Sequence, residues 1–159
     1  LKLAVIAIGS LKERHYREAC AEYLKRMNGM QPVDLIELRE EFIAAEKDPS
    51  AVERALEKES RRILSRLQPE DLVVALASDG TTMDSVAFAR MIDPSIHQDK
   101  KRCVFIIGSS HGLGQLVFDK CHEKLSFGPM TFPHELARVM LLEQLYRGQM
   151  IRRGSAYHK

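Results

Sequence analysis

Three runs of consecutive apolar residues constrain the fold of this 159-residue chain more than any other feature: "LAVIAI" at 3–8, "LVVALA" at 72–77 and "CVFII" at 103–107. Each has strand length and none alternates with polar residues, so each strand must be covered on both of its faces. A parallel sheet sandwiched between helices gives several strands that cover at once.

The segments between the runs carry the helices this requires. Tyr16, Ala19, Cys20, Tyr23, Leu24 and Met27 recur at three- and four-residue intervals, and Asn28-Gly29 closes that helix. Val33 to Leu38 alternates like a half-buried strand. "KDPSAVERALEKESRRILSRLQPED" reads as a second helix, with Ser50 as its N-cap, Pro69 beyond its end, and Val52, Ala55, Leu56, Ile63 and Leu67 on one face. Further helices are expected at Val86–Ile92, Gln115–Cys121 and Pro133–Gln149, with a short strand at Lys124–Phe127. The expectation is one α/β domain over residues 1–159, a mainly parallel sheet with helices on both faces.

Composition narrows the class without fixing the function. The chain is 45% hydrophobic and 29% charged, as ordinary globular proteins are. No stretch approaches the ~20 apolar residues of a membrane span, and the opening residues read as a strand rather than a signal peptide. Cys20, Cys103 and Cys121 are odd in number and far apart, which argues against a disulfide framework or a cysteine zinc site and for a reducing cytoplasm. The six histidines form no tight cluster, so no metal is expected.

Charge is uneven although the net is only +2. After Glu143 no acid follows, while Arg147, Arg152, Arg153 and Lys159 do. Such a tail is either a solvated terminus or a contact for an anionic partner, with nucleic acid first among the candidates.

Open α/β sheets bind ligands beyond the carboxyl ends of their strands. Three of those ends share one character: "ALASDG" at 75–80, "GSSHGLG" at 108–114 and "FGPMTF" at 127–132. All are rich in small residues, Gly or Pro, and they either serve as turns or converge on one crevice. "GSSHGLG" lacks the glycine spacing of a dinucleotide fold and is followed by no Walker lysine. Pro129 and Pro133 restrain Met130, Thr131 and Phe132 between them, so the loop has little entropy to lose on clamping a ligand. The helix that follows has Leu141, Leu142 and Leu145 beside its main apolar stripe, wide enough for burial on two sides, against the core and against a second subunit. His158 sits beside Tyr157 in the basic tail, as a titratable group next to an aromatic ring or simply as a frayed end.

"VFIIGSSHGL", "LSFGPMTFPHELARVMLLEQLYR" and the terminal "AYHK" closely resemble the ribosomal RNA large-subunit methyltransferase H family, within the trefoil-knotted SPOUT methyltransferases. The resemblance runs the full length of the chain. It implies a C-terminal trefoil knot, a homodimer, and S-adenosylmethionine as the cofactor. The implied reaction methylates N3 of a pseudouridine in helix 69 of 23S ribosomal RNA. By the same resemblance the cofactor is held by Leu76, by Gly108, and by Phe127, Gly128, Pro129, Met130, Thr131 and Phe132. Three positions depart from the family: Ser109 replaces a second glycine, His111 an acid or amide, and Thr81 a frequent lysine.

From the chemistry of N3, which bears a proton, a general base is expected, and His158 is the first candidate. Tyr157 is expected to stack on or orient the uracil ring. Arg138 is expected to stabilise charge on the carbonyl oxygens or to anchor the tail, and Arg152, Arg153 and Lys159 to contact phosphates. With so small a net charge and no separate RNA-binding domain, the assembled ribosome is the expected substrate rather than naked RNA. The alternative is a non-catalytic RNA-binding or ribosome-assembly factor of the same fold.

Overall fold

A computed structural model describes all residues, 1–159. In chain order the elements are β1 Lys2–Ile8, α1 Arg14–Met27, β2 Val33–Leu38, α2 Pro49–Leu64, β3 Asp71–Thr81, α3 Ser85–Met91, β4 Arg102–Ile107, α4 Gln115–Lys120, β5 Glu123–Leu125 and α5 His134–Arg152. The strands form one sheet in the order β2-β1-β4-β3-β5, and every pairing is parallel.

The apolar runs occupy the middle of that sheet. Leu3, Val5 and Ala7 of β1, Leu72 and Val74 of β3, and Cys103, Phe105 and Ile107 of β4 face one core with α1, α3 and α5. Ala4, Ile6 and Ile8, Val73 and Ala75, and Val104 and Ile106 face a second, smaller core completed by Ile63 of α2 and Val117 of α4. Because side chains alternate across a strand, an unbroken apolar run is what burial on both faces demands.

α5 is the spine of the larger core, with Leu141, Leu142 and Leu145 fully buried. It runs antiparallel to the strands. His134 and Glu135 border Gly9 and Leu38, at the carboxyl ends of β1 and β2. At its other end Gln149 bonds Gln31, just before β2 begins.

Several boundaries differ from those expected. Asp48, not Ser50, caps α2: its carboxylate accepts the Ser50 N–H at 3.0 Å, and Pro49 takes the first helical position, where a missing N–H costs nothing. Asp84 does the same for α3, accepting from Ala87 at 2.7 Å. Pro133 precedes the first residue of α5, and α5 continues past Gln149 to Arg152. β5 stops at Leu125, because Ser126 and Phe127 already turn into the loop.

The largest difference is in β3, which continues beyond Ala77 to Thr81 and returns to Leu125 after a break in register. This extension crosses the end of β5 closely, with the Ser126 N–H bonded to the Thr81 carbonyl at 3.0 Å. A Cβ placed on Gly80 would lie 2.8 Å from backbone atoms of Lys124 and Leu125, so no larger residue fits without moving the main chain. Gly80→Ala is therefore expected to lower stability by about 1–3 kcal/mol, the usual cost of overpacking, read as a fall in the urea midpoint. An unchanged midpoint would show a looser crossing.

Candidate functional site

The irregular end of β3 and the loops after β4 and β5 meet at the carboxyl end of the sheet. Leu76, Ala77, Ser78, Ile107, Gly108, Ser109 and Gly112 line one side of a pocket of about 180 Å³, and residues 125–128, 130–132, His134 and Ala137 line the other. Of the eight positions expected to hold a cofactor, Leu76, Gly108, Phe127, Gly128, Met130, Thr131 and Phe132 line this pocket, whereas Pro129 stands exposed beside it.

Local geometry explains the residue choices. A Cβ on Gly108 would sit 2.2 Å from the Gly112 carbonyl oxygen, so the turn that follows β4 closes only over glycine. That turn is held by the Gly112 N–H on the Ser109 carbonyl at 2.9 Å, with Gly112 at φ +81°. Gly128 has φ +114°, which side chains other than hydrogen rarely adopt. Ser126 pins the third loop: its hydroxyl lies 3.2 Å from the Ser78 and Gly128 carbonyls and 3.1 Å from the Gly128 N–H. The backbone N–H groups of Met130, Thr131 and Phe132 find no acceptor within the chain.

Leu125, Ser126, Phe127 and Gly128 also wall a second, larger groove of about 800 Å³. Its other walls come from Tyr23 of α1, the β3–α3 connection, and Val139, Met140, Glu143 and Gln144 of α5, with His158 at one edge. The smaller pocket thus opens beside a groove that contains the tail histidine.

The tail reaches there by folding back on α5. Gly154 turns the chain at φ +66°, and the Ser155 N–H bonds the Met150 carbonyl at 3.0 Å. The Tyr157 hydroxyl donates to Glu143 at 3.2 Å, and its ring meets Tyr146 edge-on at 4.9 Å with the Arg147 guanidinium 4.7 Å from its centre. Arg147 also chelates Glu143 at 2.6 and 2.9 Å and approaches His158 Nδ1 at 3.4 Å. Burial, then the Glu143 carboxylate, pushes the Tyr157 phenol above its ordinary range.

The remaining expected residues lie elsewhere. Arg138 is 1% exposed and borders neither cavity; it pairs with Glu37 and donates to the Gly9 carbonyl at 3.0 Å, joining α5 to the ends of β1 and β2. Arg152 bonds Gln31 at 3.0 Å and faces Asp93 at 3.7 Å, at the amino end of the sheet. α5 spans 19 residues, about 28 Å, so Arg152 and the exposed Arg153 are a helix length away from the loops. Lys159 is exposed at the end of the folded-back tail. Burial pushes the Cys20 thiol up to about 11 and the Cys103 thiol to about 12, which leaves neither as a nucleophile near neutral pH.

In the sequence Glu143 stands out only as the last acid before the basic tail, and Ser126 only as a residue of the expected strand Lys124–Phe127. Glu59 was missed altogether. It is 4% exposed, with burial raising its carboxyl above the usual range, and it touches Ser109 behind the pocket. The signal was present: Glu59 and Ser60 follow Leu56 by three and four residues, at inward-facing positions of α2.

An all-parallel sheet covered by helices, with a pocket at its strand ends beside a folded-back tail, defines the class as α/β with a candidate ligand site. The chain belongs to the SPOUT methyltransferase family: the family model described as "Predicted SPOUT methyltransferase" matches residues 1–158. Among solved structures it is similar to "a probable methylase family protein from Haemophilus influenzae Rd KW20", at 13% identity and a TM-score of 0.53. That match covers 96% of this chain and 66% of the other, a likeness of fold. No group of histidines, cysteines and carboxylates in the structure is arranged to hold a metal ion, and no helix is long and apolar enough to cross a membrane.

The docked tail makes a spectroscopic prediction. In an alkaline ultraviolet titration, the tyrosine lost on Tyr157→Phe should ionise above the ordinary phenol range. Glu143→Gln should bring that ionisation down, because it removes the negative charge facing the phenolate. If Glu143→Gln leaves the titration unchanged, the tail does not rest on α5 in solution.

Proposed function

We propose that the chain transfers a methyl group from S-adenosylmethionine to N3 of a pseudouridine in helix 69 of 23S ribosomal RNA, on the assembled ribosome in the cytoplasm. One observation carries the reading: within a SPOUT methyltransferase, the end of β3 and the loops after β4 and β5 converge on one pocket that opens beside the groove holding His158.

The pocket suits this cofactor in kind. Leu76, Ile107, Phe127 and Phe132 offer apolar walls for a flat base, and the unpaired N–H groups of residues 130–132 offer donors at its rim. At about 180 Å³ it is smaller than the ~300–1,000 Å³ usual for ligand sites, so the bound molecule must extend into the adjoining groove along Leu125–Gly128. When bound, S-adenosylmethionine supplies an electrophilic methyl on a sulfonium. The rest falls to the protein: to align the ribonucleotide and to accept the N3 proton. His158 is the proposed acceptor, since it borders the groove. Tyr157, once released from Tyr146, would orient the uracil ring.

The positions of Arg152 and Arg153 favour a homodimer. A helix length separates them from the pocket of their own protomer, so their phosphate contacts near a pocket would be made at that of a second copy, while Lys159 follows His158 at the groove of its own chain. Arg138 acts in this reading as a brace for α5, not as a contact to RNA. The expected knot belongs to the same reading and is supported by the close crossing of residues 78–81 over β5.

Incubation of large-subunit RNA, free and within ribosomes, with the protein and labelled cofactor should place the label on the helix 69 pseudouridine, chiefly in ribosomes, as read by mass spectrometry of nuclease fragments. Label elsewhere would overturn the substrate, and no label despite cofactor binding would favour a non-catalytic assembly factor. His158→Ala should lower the rate at least tenfold while cofactor binding is kept. A wild-type rate in His158→Ala would remove His158 as the base.

A further inference from the structure

Glu59 lies on the inward face of α2 with both carboxylate oxygens in use. Oε1 accepts the Ser109 hydroxyl at 3.2 Å, and Oε2 accepts the Glu41 backbone N–H at 2.9 Å. Ser109 is 6% exposed, follows Gly108 directly and lines the smaller pocket. The next residue of α2, Ser60, meets the far end of the same loop: a Cβ on Gly114 would lie 2.4 Å from its Oγ and 3.0 Å from the Leu56 carbonyl oxygen. One turn of α2 therefore holds the 108–114 loop at both ends, by a charge-assisted hydrogen bond at Ser109 and by close contact at Gly114.

A buried carboxylate is an expensive way to fill space, since an apolar side chain there would avoid the desolvation cost. What the carboxylate adds is direction. It fixes the Ser109 hydroxyl, and with it the plane of the turn that begins at Gly108. It also ties that turn to the segment after β2, which a second bond secures from outside: Arg62 pairs with Glu41 at 2.6 Å and donates to the Arg39 carbonyl at 2.9 Å. A loop of small residues would otherwise sample many conformations and lose them on binding, so holding it in advance improves affinity.

We propose that Glu59 is a positioning residue for the cofactor site, acting through the Ser109 hydroxyl to hold the Gly108 loop in its receptive shape. This rests on reading the pocket as the S-adenosylmethionine site. The bond is specific to a chain with serine at position 109, since glycine there offers no hydroxyl to donate.

Calorimetric titration of the full chain with S-adenosylmethionine tests it, using wild type, Ser109→Ala, Glu59→Gln and the double variant. Ser109→Ala keeps the Cβ and should weaken binding at least about tenfold, the worth of one hydrogen bond to a charged group. The cofactor KM should rise by a larger factor than kcat falls. Glu59→Gln should weaken binding comparably, and the double variant no further than the weaker single, because both act through one bond. Wild-type affinity in Ser109→Ala, which decides the matter even if Glu59→Gln folds poorly, would overturn the proposal, as would additive losses. Absence of cofactor binding by the wild type would instead overturn the reading of the pocket itself.

Discussion

The structure depends on the burial of β1, β3 and β4 on both faces. Their side chains enter two separate cores, so these strands have no solvent face and helices must cover each side. A strand so enclosed is exposed only at its ends. At the carboxyl ends the chain must turn sharply into a helix, and small residues gather there because two turns press on each other: Gly108 on Gly112, and Gly80 on Lys124–Leu125. The pocket is a consequence of that crowding, formed where three tight turns fail to fill the space above the sheet.

α5 links this pocket to the rest of the molecule. Its first turn stands beside the loops, Arg138 fastens it to the ends of β1 and β2, and its leucines fill the larger core. Its outer residues, Val139, Met140 and Glu143, remain free to wall the groove. One helix thus supports the fold on one side and the tail on the other. The tail is held mainly by polar and aromatic contacts to Glu143, Tyr146 and Arg147, which release more readily than a packed core. That difference suits a segment proposed to meet a large substrate.

Much of this was legible beforehand because it depends on local pattern. Unbroken apolar runs give doubly covered strands, and three- and four-residue spacing gives helices, so the α/β class and the ten elements followed without tertiary information. The pocket-lining residues Leu76, Gly108, Phe127, Gly128, Met130, Thr131 and Phe132 came from a resemblance carried by specific motifs, and glycine placement had already marked the same three strand ends. Boundaries failed where a long-range partner sets them. β3 runs to Thr81 because Leu125 and Ser126 pair with it from forty-odd residues away, and nothing in "SDGTT" announces that.

By itself, then, the sequence determined the class of sheet and the loops worth watching, because burial on two faces and backbone freedom are written in residue type. Tertiary structure decided the assignments that depend on who stands opposite whom. It enclosed Arg138 against Glu37 and Gly9, sent Arg152 to the far end of the sheet, laid Tyr157 on Glu143 and brought Glu59 against Ser109. A charged side chain does not carry its partner in its own identity. The partner is fixed only when strands and helices distant in sequence have packed, and with it whether the charge contacts a substrate or holds the scaffold.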